Sequence, residues 1–529
     1  MLHKFLIACL LLGFAGIAQG ETARGVVFND ANRNGQRDGG EKGLAGVLVS
    51  NGEAVVPTDA EGRWSLEAGE DTILFVIKPR NWMTPVNSEQ VPQSFYIHKP
   101  AGSPALRVPG VSPTGPLPAS IDFPLYAREE PEQFTVLLFG DTQARGMREV
   151  NFITRDVVEE LVGVDAAFGL SLGDIVADDA GLFDEINGSI AQLGIPWYNV
   201  FGNHDTNRDG PGDALSDETF ERVYGPTYYA FEYGSVAFIV LDNILVRDDG
   251  GYDSRFTESQ IAFVANYLAH VPQEKLVVLA MHAPLFSTKN AVDLYRLIEQ
   301  RPHTFSTAAH THTLINTFIT ERQGWGGEKP HHHFVNGTVC GSWWCGIQDE
   351  MGIPHAVMND GAPNGYAFAS FSGNTYTLRY QAARRPADYQ MNIYLPDDLV
   401  AASAAETGIT VNFFMGNEQS IVEMRLGNEG AWTALAQTRG EDPQNAVLHQ
   451  MNPFLEQRVL DRPLDEVFGW QMDAPSKTMH LWKGQLPANP PVGTQTITVR
   501  ATDMFGQVWT AHRIVRFHAS VEAMALPVE

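Results

Sequence analysis

The chain shows three successive patterns of hydrophobic and polar residues. Residues 24–80 contain short β-rich runs separated by turn residues, for example 45–50 and 72–77. From Phe134 onwards, apolar runs of strand length alternate with amphipathic runs typical of helices, and after Ala383 the pattern returns to short strands with turn signals. The order of these patterns predicts a central α/β domain flanked by two all-β domains.

A proline-rich stretch marks the first predicted domain boundary. Residues 104–124 contain six prolines and lead to Glu129-Glu130-Pro131, which is the composition of a linker. The predicted domains are an N-terminal β-sandwich-like domain that includes this linker, residues 21–128, a central α/β domain, residues 129–383, and a C-terminal β-sandwich, residues 384–529.

The start of the chain has the pattern of a targeting segment. A short basic region with Lys4 precedes an apolar run over residues 5–17, and small residues precede a cleavage site before Glu21. This predicts a secretory signal peptide over residues 1–20, and therefore an exported protein that is periplasmic or secreted. A lipoprotein signal at Cys9 is the alternative. No later segment approaches the roughly 20 apolar residues of a membrane helix, so we expect no transmembrane segment.

Composition limits the partners of the protein. The chain has 529 residues with 36 Lys+Arg and 63 Asp+Glu, a formal net charge of −27. Since nucleic acids and anionic membranes are polyanions, this charge argues against non-specific binding to either. A phosphate group bound here would need local cations, either metal ions or a few placed basic side chains.

A loop in the N-terminal domain matches a calcium-binding motif. Residues 30–41 fit D-x-[DN]-x-[DN]-G-x5-E, in which oxygen ligands alternate along the loop and a glycine permits the sharp turn. Its flanks are β-rich, which excludes an EF-hand domain, and the loop resembles the calcium loop of the B-type repeats of bacterial surface proteins. We expect a structural calcium ion, with an ion-free polar hairpin as the alternative. The expected ligands are Asp30, Asn32, Asn34, Gln36, Asp38 and Glu41.

Two cysteines follow the predicted signal peptide, Cys340 and Cys345. In an oxidising compartment a disulfide across this small loop is the first expectation, and two reduced buried thiols are the alternative. Two cysteines without a second pair nearby make a poor zinc site.

Polar residues able to bind metals or transfer protons follow five of the central strands. Because ligands in open α/β sheets sit at the carboxyl ends of strands, five such ends predict one shared site. Carboxylate and amide oxygens mixed with imidazoles suit Mn, Fe or Zn better than Mg or Ca. The residues at these ends are Asp141, Gln143, Asp174, Asn203, His204, Asp205, His282, His310 and His312.

This series resembles the calcineurin-like metallophosphoesterase superfamily, whose pattern is D-x-H, GD, GNH[DE], a lone histidine after a strand, and G-H-x-H. The resemblance covers roughly residues 133–380 and implies an αββα layered sandwich for the central domain. Residues 343–346, 360–366 and 501–507 are similar to recurring phrases of a narrower bacterial exported family, which has an N-terminal β-domain and a C-terminal metallophosphoesterase-associated domain.

By position, the resemblance implies two metal ions bridged by Asp174, with His204 as the proton donor to the leaving group. Two cations about 3.5–4 Å apart would clamp a phosphate oxygen and activate a bridging hydroxide for in-line attack. The implied ligands of the first metal are Asp141, Gln143, Asp174 and His312, and those of the second are Asp174, Asn203, His282 and His310. Gln143 stands where the superfamily commonly has histidine, and Ala309 replaces a glycine without altering a ligand.

Further residues are candidates for supporting roles. Asp178 or Asp205 would orient the second ring nitrogen of His204, because a donor imidazole needs a partner to hold it. The candidates for contact with the substrate, each with burial or surface exposure as its purely structural alternative, are Arg145, His333, Trp343 and Trp344.

The sequence therefore predicts an exported phosphoesterase that hydrolyses monoesters of small phosphorylated substrates with two divalent metal ions. A phosphodiesterase acting on nucleotides, lipid head groups or wall polymers is the alternative within the enzymes. A third hypothesis is a calcium-stabilised surface binding protein whose catalytic domain has lapsed. Gln143 favours it, and the intact remaining ligand positions oppose it.

Overall fold

The computed structural model describes residues 20–455, 458–459, 462–463 and 471–524. The predicted signal peptide lies outside the described residues except for Gly20. Among the described residues we find no helix with the length and hydrophobicity of a membrane span.

Eight strands form the N-terminal region. They are β1 (Glu21–Asn29), β2 (Leu48–Ser50), β3 (Val55–Pro57), β4 (Arg63–Ala68), β5 (Thr72–Ile77), β6 (Trp82–Met83), β7 (Phe95–His98) and β8 (Phe123–Ala127). They make two four-stranded sheets, β4-β1-β8-β6 and β3-β2-β5-β7. Alternate residues of β4 are buried, so Trp64 and Leu66 face a core that both sheets share.

Two buried lysines fasten the N-terminal region to the centre of the molecule. Lys78 Nζ lies 2.5 Å from Glu130 Oε1, and Lys99 Nζ lies 2.6 Å from Glu218 Oε2. Because removal of one partner would leave an uncompensated buried charge, these pairs fix the two regions together.

The central region contains thirteen described strands and six described α-helices. The strands are β9 (Gln133–Phe139), β10 (Phe168–Ser171), β11 (Trp197–Asn199), β12 (Tyr229–Tyr233), β13 (Val236–Val240), β14 (Ile244–Val246), β15 (Tyr252–Ser254), β16 (Leu276–Ala280), β17 (Thr304–Ala308), β18 (Ile315–Ile319), β19 (His331–Val335), β20 (Gly365–Ser372) and β21 (Thr375–Ala382). The helices are α1 (Met147–Ile153), α2 (Glu159–Leu161), α3 (Phe183–Ile190), α4 (Glu218–Tyr224), α5 (Glu258–Leu268) and α6 (Ala291–Ile298).

Two mixed sheets pack face to face at the centre. Their orders are β11-β10-β9-β20-β21 and β12-β13-β16-β17-β19-β18, and β14 pairs only with β15. Strands β9, β10 and β11 run parallel in the first sheet, and β13, β16, β17 and β19 run parallel in the second. Strands β13 and β16 are buried along their whole length, as expected for strands covered on both faces.

Side chains from opposite faces of each strand enter different cores. Leu138 of β9 packs in the core between the sheets, while its neighbour Phe139 packs against Ile153 of α1. On the second sheet, Leu279 of β16 packs with Leu294 of α6 on the outer face. This helix–sheet–sheet–helix arrangement confirms the predicted layered α/β sandwich.

The C-terminal region is built mainly of strands. They are β22 (Met391–Tyr394), β23 (Asp398–Val400), β24 (Gly408–Phe413), β25 (Ile421–Leu426), β26 (Thr433–Ala434), β27 (Ala436–Gly440), β28 (Arg458–Val459), β29 (Arg462–Pro463), β30 (Thr478–Gln485), β31 (Gly493–Thr502) and β32 (Val508–His518). The helices are α7 (Pro443–His449), α8 (Asn452–Leu455) and α9 (Val521–Met524). Two sheets, β22-β24-β30-β27 and β23-β32-β31-β25-β26, enclose one core. The predicted domain boundaries at residues 128 and 383 stay predictions.

Candidate metal centre

The polar residues singled out in the sequence meet at one edge of the two central sheets. Each follows the carboxyl end of a strand that runs parallel to its neighbour, namely β9, β10 and β11 in one sheet and β16 and β17 in the other. The two sheets present these ends side by side, so ligands far apart in sequence converge. The residues at this edge are Asp141, Gln143, Asp174, Asn203, His204, His282, His310 and His312.

One group of donor atoms surrounds His282. Its Nε2 lies 3.1 Å from Asp174 Oδ2, 3.1 Å from Asn203 Oδ1 and 3.1 Å from His310 Nδ1. The ligand atoms of Asp174, His282 and His310 all lie within 4.8 Å of one another, a grouping that can hold a metal ion. These are the residues that the resemblance assigns to the second metal.

A second group of donor atoms lies on the other side of Asp174. His312 Nε2 is 3.3 Å from Asp141 Oδ2, and the amide of Gln143, whose ligand atom is Oε1, donates a hydrogen bond through Nε2 to Asp174 Oδ2 at 3.2 Å. Asp141 Oδ2 is buried and has no hydrogen bond. A buried carboxylate oxygen without a donor is costly unless a cation compensates it, so this group also fits a divalent ion.

The backbone at the metal centre adopts conformations that non-glycine residues avoid. Five of the eight residues have φ between +20° and +72°, in the left-handed region. Each such residue costs of order 1–3 kcal/mol, and strain of this kind gathers at functional sites. The residues are Asp141, Gln143, Asp174, His310 and His312.

Neighbouring oxygens fix the orientation of the three imidazoles. The Nδ1 of His282 lies 2.8 Å from the Leu172 carbonyl oxygen, and the Nδ1 of His312 lies 2.7 Å from the Gly341 carbonyl oxygen. Donation of the ring proton to these carbonyls leaves the Nε2 lone pairs facing the site. The ring of His310 has the opposite orientation: Nδ1 faces His282, and Nε2 faces the hydroxyl of Tyr252.

The charges at the centre favour a cation among the ligands. Burial opposes ionisation of Asp174, but His282, His204 and His310 outweigh it and hold the pKa of this carboxyl below its usual value. Burial disfavours the charged form of His282, yet the adjacent Asp174 prevails and raises its pKa to about 9. Burial, reinforced by His282, lowers the pKa of His310 to about 4. The carboxylates of the ligand set therefore favour positive charge close to Asp174.

His204 stands beside this ligand set and is held by an acidic residue. Its backbone N–H donates to Asp174 Oδ1 at 2.8 Å, and its Nδ1 lies 2.6 Å from Asp178 Oδ1. Arg208 pairs with the same Asp178 oxygen. Asp205, the other predicted orienting residue, does not contact the ring, because it is fully buried and accepts the backbone N–H groups of Val176 and Gly202.

A cleft of about 410 Å³ opens above the metal centre. Trp343 forms one wall: its ring stacks on His312 at 5.2 Å and meets His204 edge-on at 4.9 Å. Tyr252 of β15 and Arg208 also line the cleft. Tyr252 was not predicted as a site residue, because a tyrosine in a short hairpin gives no local sign of where the hairpin docks. Arg208 lies near a motif in the sequence, but that position alone does not decide whether it meets a phosphate.

Three of the predicted substrate contacts do not face the cleft. His333 is fully buried in β19, with Nδ1 2.7 Å from Ser306 Oγ and Nε2 accepting the Leu285 N–H. Trp344 is fully buried in the core. The guanidinium of Arg145 pairs with Glu149 and donates to the Trp343 carbonyl, so it supports the wall of the cleft. Of the four candidates, only Trp343 lines the cleft.

The two cysteines are unbridged and buried, which agrees with the alternative of two thiols rather than with the expected disulfide. The Sγ of Cys340 lies 3.5 Å from Gln143 Oε1 and 3.8 Å from His312 Nδ1. This thiol therefore packs behind two of the implied ligands of the first metal.

The predicted calcium loop is folded around its acidic side chains. Both oxygens of Asp30 accept backbone N–H groups, from Asn34 at 3.1 Å and Gly35 at 2.8 Å, and Glu41 accepts the backbone N–H of Ala31 and Asp38. Asn32 and Asn34 both donate to Asp38 Oδ2. Gln36 takes part through its backbone N–H, which donates to Asn34 Oδ1. Calcium binding stays a prediction.

The chain matches three related family models. The family model described as calcineurin-like phosphoesterase matches residues 134–314, and those for the N-terminal and C-terminal parts of calcineurin-like phosphoesterase match residues 31–107 and 333–509. No curated protein matches the chain. Sixteen solved chains match it, among them purple acid phosphatase PPD1 from yellow lupin (Lupinus luteus) seeds, which is 14% identical with a TM-score of 0.36 over 65% of this chain and 69% of that chain.

Proposed function

Because the chain belongs to the calcineurin-like phosphoesterases and carries the N- and C-terminal domains of that family, we propose that it hydrolyses phosphate monoesters, with His204 as the proton donor. The family makes it a phosphoric ester hydrolase that uses divalent metal ions. The proposal adds the ester class, the ligand residues and the donor. Export to the periplasm or the medium belongs to the same proposal and follows from the targeting pattern of residues 1–20.

One observation carries the proposal: Asp174 contacts both groups of donor atoms and the backbone of His204. Its Oδ2 lies 3.1 Å from His282 Nε2 and accepts a hydrogen bond from the amide of Gln143 at 3.2 Å, while its Oδ1 accepts the His204 N–H at 2.8 Å. A single carboxylate in this position supports two adjacent metal sites, with the donor imidazole fixed beside them.

The residues present fit two divalent ions with mixed oxygen and nitrogen ligands. The orphaned Asp141 oxygen and the buried Asp174 carboxylate supply negative charge, and imidazoles favour Mn, Fe or Zn over Mg or Ca. Such ions supply Lewis acidity that polarises the phosphoryl group and acidifies water. The proposed ligands are Asp141, Gln143, Asp174 and His312 for one ion, and Asp174, Asn203, His282 and His310 for the other.

The contacts of His204 support the proposal that it protonates the leaving oxygen. With Nδ1 bound to Asp178, its Nε2 is the nitrogen that can deliver a proton to a departing alkoxide. Burial opposes ionisation of Asp178, but His204 and Arg208 outweigh it and lower the pKa of Asp178, so the carboxylate is charged where it stabilises the imidazolium. General acid catalysis of this kind contributes about 10²–10⁴-fold.

Arg208 favours a monoester over a diester. It lines the cleft, and its side chain is 45% exposed even though it pairs with Asp178. A phosphate monoester carries a second negative charge that a diester lacks, and an accessible guanidinium would meet that charge with two hydrogen bonds.

The test is hydrolysis of a paired aryl phosphate monoester and diester by the protein from Glu21 onwards, stripped of metal and then given Mn²⁺, Zn²⁺, Fe²⁺ or Mg²⁺. We expect metal-dependent turnover with the monoester preferred, and Arg208→Ala should reduce that preference. Arg63→Ala is the matched control, because Arg63 is an exposed arginine paired with acids in the N-terminal region. Faster diester hydrolysis would favour a phosphodiesterase, and two bound metals without turnover of either ester would contradict the proposal.

A structural calcium ion in the loop of residues 30–41 is a second part of the proposal. Asp30 and Glu41 converge on the loop backbone, and Asp38 accepts the side-chain amides of Asn32 and Asn34, which supports the proposal because these carboxylates leave further lone pairs for an ion. Calcium should raise the melting temperature of the wild-type protein, and Asp30→Asn should abolish this increase. An equal increase in both proteins would contradict a site in this loop.

A further inference from the structure

A short hairpin places Tyr252 against the metal centre. Strands β14 and β15 pair with Val246 opposite Tyr252, and the two residues before Tyr252, Gly250 and Gly251, line the same cleft. The hydroxyl of Tyr252 lies 3.1 Å from His310 Nε2, with the two rings nearly perpendicular at 84°. The half-buried side chain lines the cleft on one side and contacts His310 on the other.

His310 can bind a cation only if its ring proton is on the side of Tyr252. Its Nδ1 lies 3.1 Å from His282 Nε2 and faces the ligand group, while Nε2 faces the tyrosine. A neutral imidazole that offers one nitrogen lone pair to a metal carries its proton on the other nitrogen. The Nε2–H of His310 therefore needs an acceptor, and the Tyr252 oxygen is in that position.

The other two implied histidine ligands have backbone acceptors for their ring protons. His282 and His312 face backbone carbonyls, those of Leu172 and Gly341, through Nδ1. No substitution can remove a carbonyl acceptor. For His310 the acceptor is a side-chain hydroxyl, so the orientation of this ligand depends on residue 252.

Neighbouring contacts hold Tyr252 in place. Arg247 Nη1 donates to the Tyr252 carbonyl at 2.8 Å and to Asp253 Oδ1 at 2.8 Å, and Lys289 pairs with the other oxygen of Asp253 at 2.8 Å. The hydroxyl of Ser254 lies 2.9 Å from that of Thr288. The hairpin is thus tied to the loop after β16, the strand that precedes His282, which gives the phenol a fixed position.

We propose that Tyr252 is a positioning residue that accepts the Nε2–H of His310 and offers its own hydroxyl hydrogen to a phosphoryl oxygen of the substrate. In the described part of the chain, His310 is the one hydrogen-bond partner of this hydroxyl. Since the oxygen serves as acceptor there, the hydrogen is left for the cleft that the ring lines. This inference rests on the metal site of the proposed function.

The experiment measures metal affinity in the full chain with Tyr252→Phe, which keeps the ring and removes the hydroxyl. The metal-free protein is titrated with Zn²⁺ or Mn²⁺ against a competing chelator. We expect two ions per wild-type chain and, in the variant, one class of site weakened about 10–100-fold, the usual effect of losing an outer partner of a metal-bound histidine.

The matched control is Tyr376→Phe. Tyr376 OH lies 2.6 Å from Nδ1 of His332, a buried histidine outside the metal centre, so the variant removes a similar tyrosine–histidine contact elsewhere. Its metal affinity should equal that of the wild type. A change of the same size in both variants would overturn the proposal, because the effect would then be one of general stability.

A second readout separates the substrate contact from the metal effect. At saturating metal, KM for an aryl phosphate should rise about 2–10-fold in Tyr252→Phe, the size expected for one lost neutral hydrogen bond, while kcat changes less. An unchanged metal affinity in an otherwise active variant would overturn the positioning role and leave the phosphoesterase proposal intact. Wild-type protein that binds no metal would instead overturn the proposed function itself.

Discussion

The Nε2 of His480 in β30 lies 2.9 Å from the Oδ2 of Asp360, which joins the C-terminal β-region to the loop beside the metal centre. The same oxygen accepts the backbone N–H of Leu314 at 2.6 Å, two residues after the implied ligand His312. The backbone N–H of Asn359 donates to the His312 carbonyl at 3.0 Å. Both side chains of the His480–Asp360 pair are buried. The C-terminal region therefore holds the histidine loop in place.

We expect His480→Leu to weaken both the fold and metal binding. The variant removes the imidazole from the buried Asp360 carboxylate, which keeps only backbone N–H donors, and the lost hydrogen bond costs about 1–3 kcal/mol of the free energy of unfolding. The loop that carries His310 and His312 then loses its support, so metal affinity falls as well. Urea unfolding and metal titration measure the two effects. In the control, His512→Leu, the replaced histidine is exposed and lies beside Thr498, and both quantities should be unchanged. Normal metal affinity in folded His480→Leu would contradict the link.

His204→Ala should slow hydrolysis without loss of metal. Because His204 is proposed to protonate the leaving oxygen, the decrease in kcat should approach about 10²–10⁴-fold for alkyl phosphates and be small for aryl phosphates with acidic phenols. Measurement of kcat over a series of alkyl and aryl phosphates gives the dependence on the acidity of the leaving group.

Asp178→Asn should reproduce part of the His204→Ala effect, because Asp178 holds the ring at 2.6 Å. Asp179→Asn is its control, since this neighbour pairs with Arg107 and does not contact His204. Equal slowing for all leaving groups would argue against a proton donor at this position.

The buried histidines of β19 should make the protein sensitive to acid. Burial lowers the pKa of His331 and of His332 to about 3, below the value of about 6.5 in an unfolded chain. Between these values the unfolded state binds more protons, so their contribution to stability is complete above pH 6.5 and falls as the pH decreases towards 3. Each histidine contributes up to about 2 kcal/mol of the difference in unfolding free energy between pH 7 and pH 5.

His332→Phe should reduce this pH dependence. The variant loses contacts with Tyr376 and Asn316, so it is less stable at pH 7, but its further loss between pH 7 and pH 5 is smaller than in the wild type. Tyr376→Phe removes one of these contacts and keeps the imidazole, so it should retain the wild-type pH dependence. Urea unfolding at pH 7 and pH 5 measures the unfolding free energy of each protein at both values. If His332→Phe loses as much unfolding free energy between pH 7 and pH 5 as the wild type, other groups dominate the pH dependence.

Much of the fold follows from local sequence patterns. The apolar run 134–139 predicts a strand that the structure extends by one residue, as β9 (Gln133–Phe139), and the run 276–281 corresponds to β16 (Leu276–Ala280). The polar residues that follow such runs converge at one edge, because parallel strands place their carboxyl ends together. That regularity explains why the strand ends predict one shared site, whereas the assignment of each ligand comes from the family resemblance and stays a prediction.

The failures concern residues whose position depends on tertiary packing. His333 is the last of three consecutive histidines on one strand. Side chains alternate between the two faces of a strand, but the sequence does not say which face meets the cleft. All three histidines are buried. Asp205 is adjacent to His204 in sequence, yet the backbone turns its carboxylate towards Val176, and Asp178 from another loop reaches the ring. Tyr252 was missed because its role depends on where the hairpin docks.

The metal content of Asp174→Ala, compared with the wild type, tests the central claim most directly. Asp174 is proposed to serve both ions, so its loss should remove metal binding and turnover together, whereas the wild-type chain should bind two divalent ions. Elemental analysis after reconstitution and gel filtration gives the ratio of metal to protein, and a circular dichroism spectrum verifies the fold. Two ions per wild-type chain and none retained by the variant is the predicted result. A folded Asp174→Ala protein with two bound ions and full turnover would contradict the account.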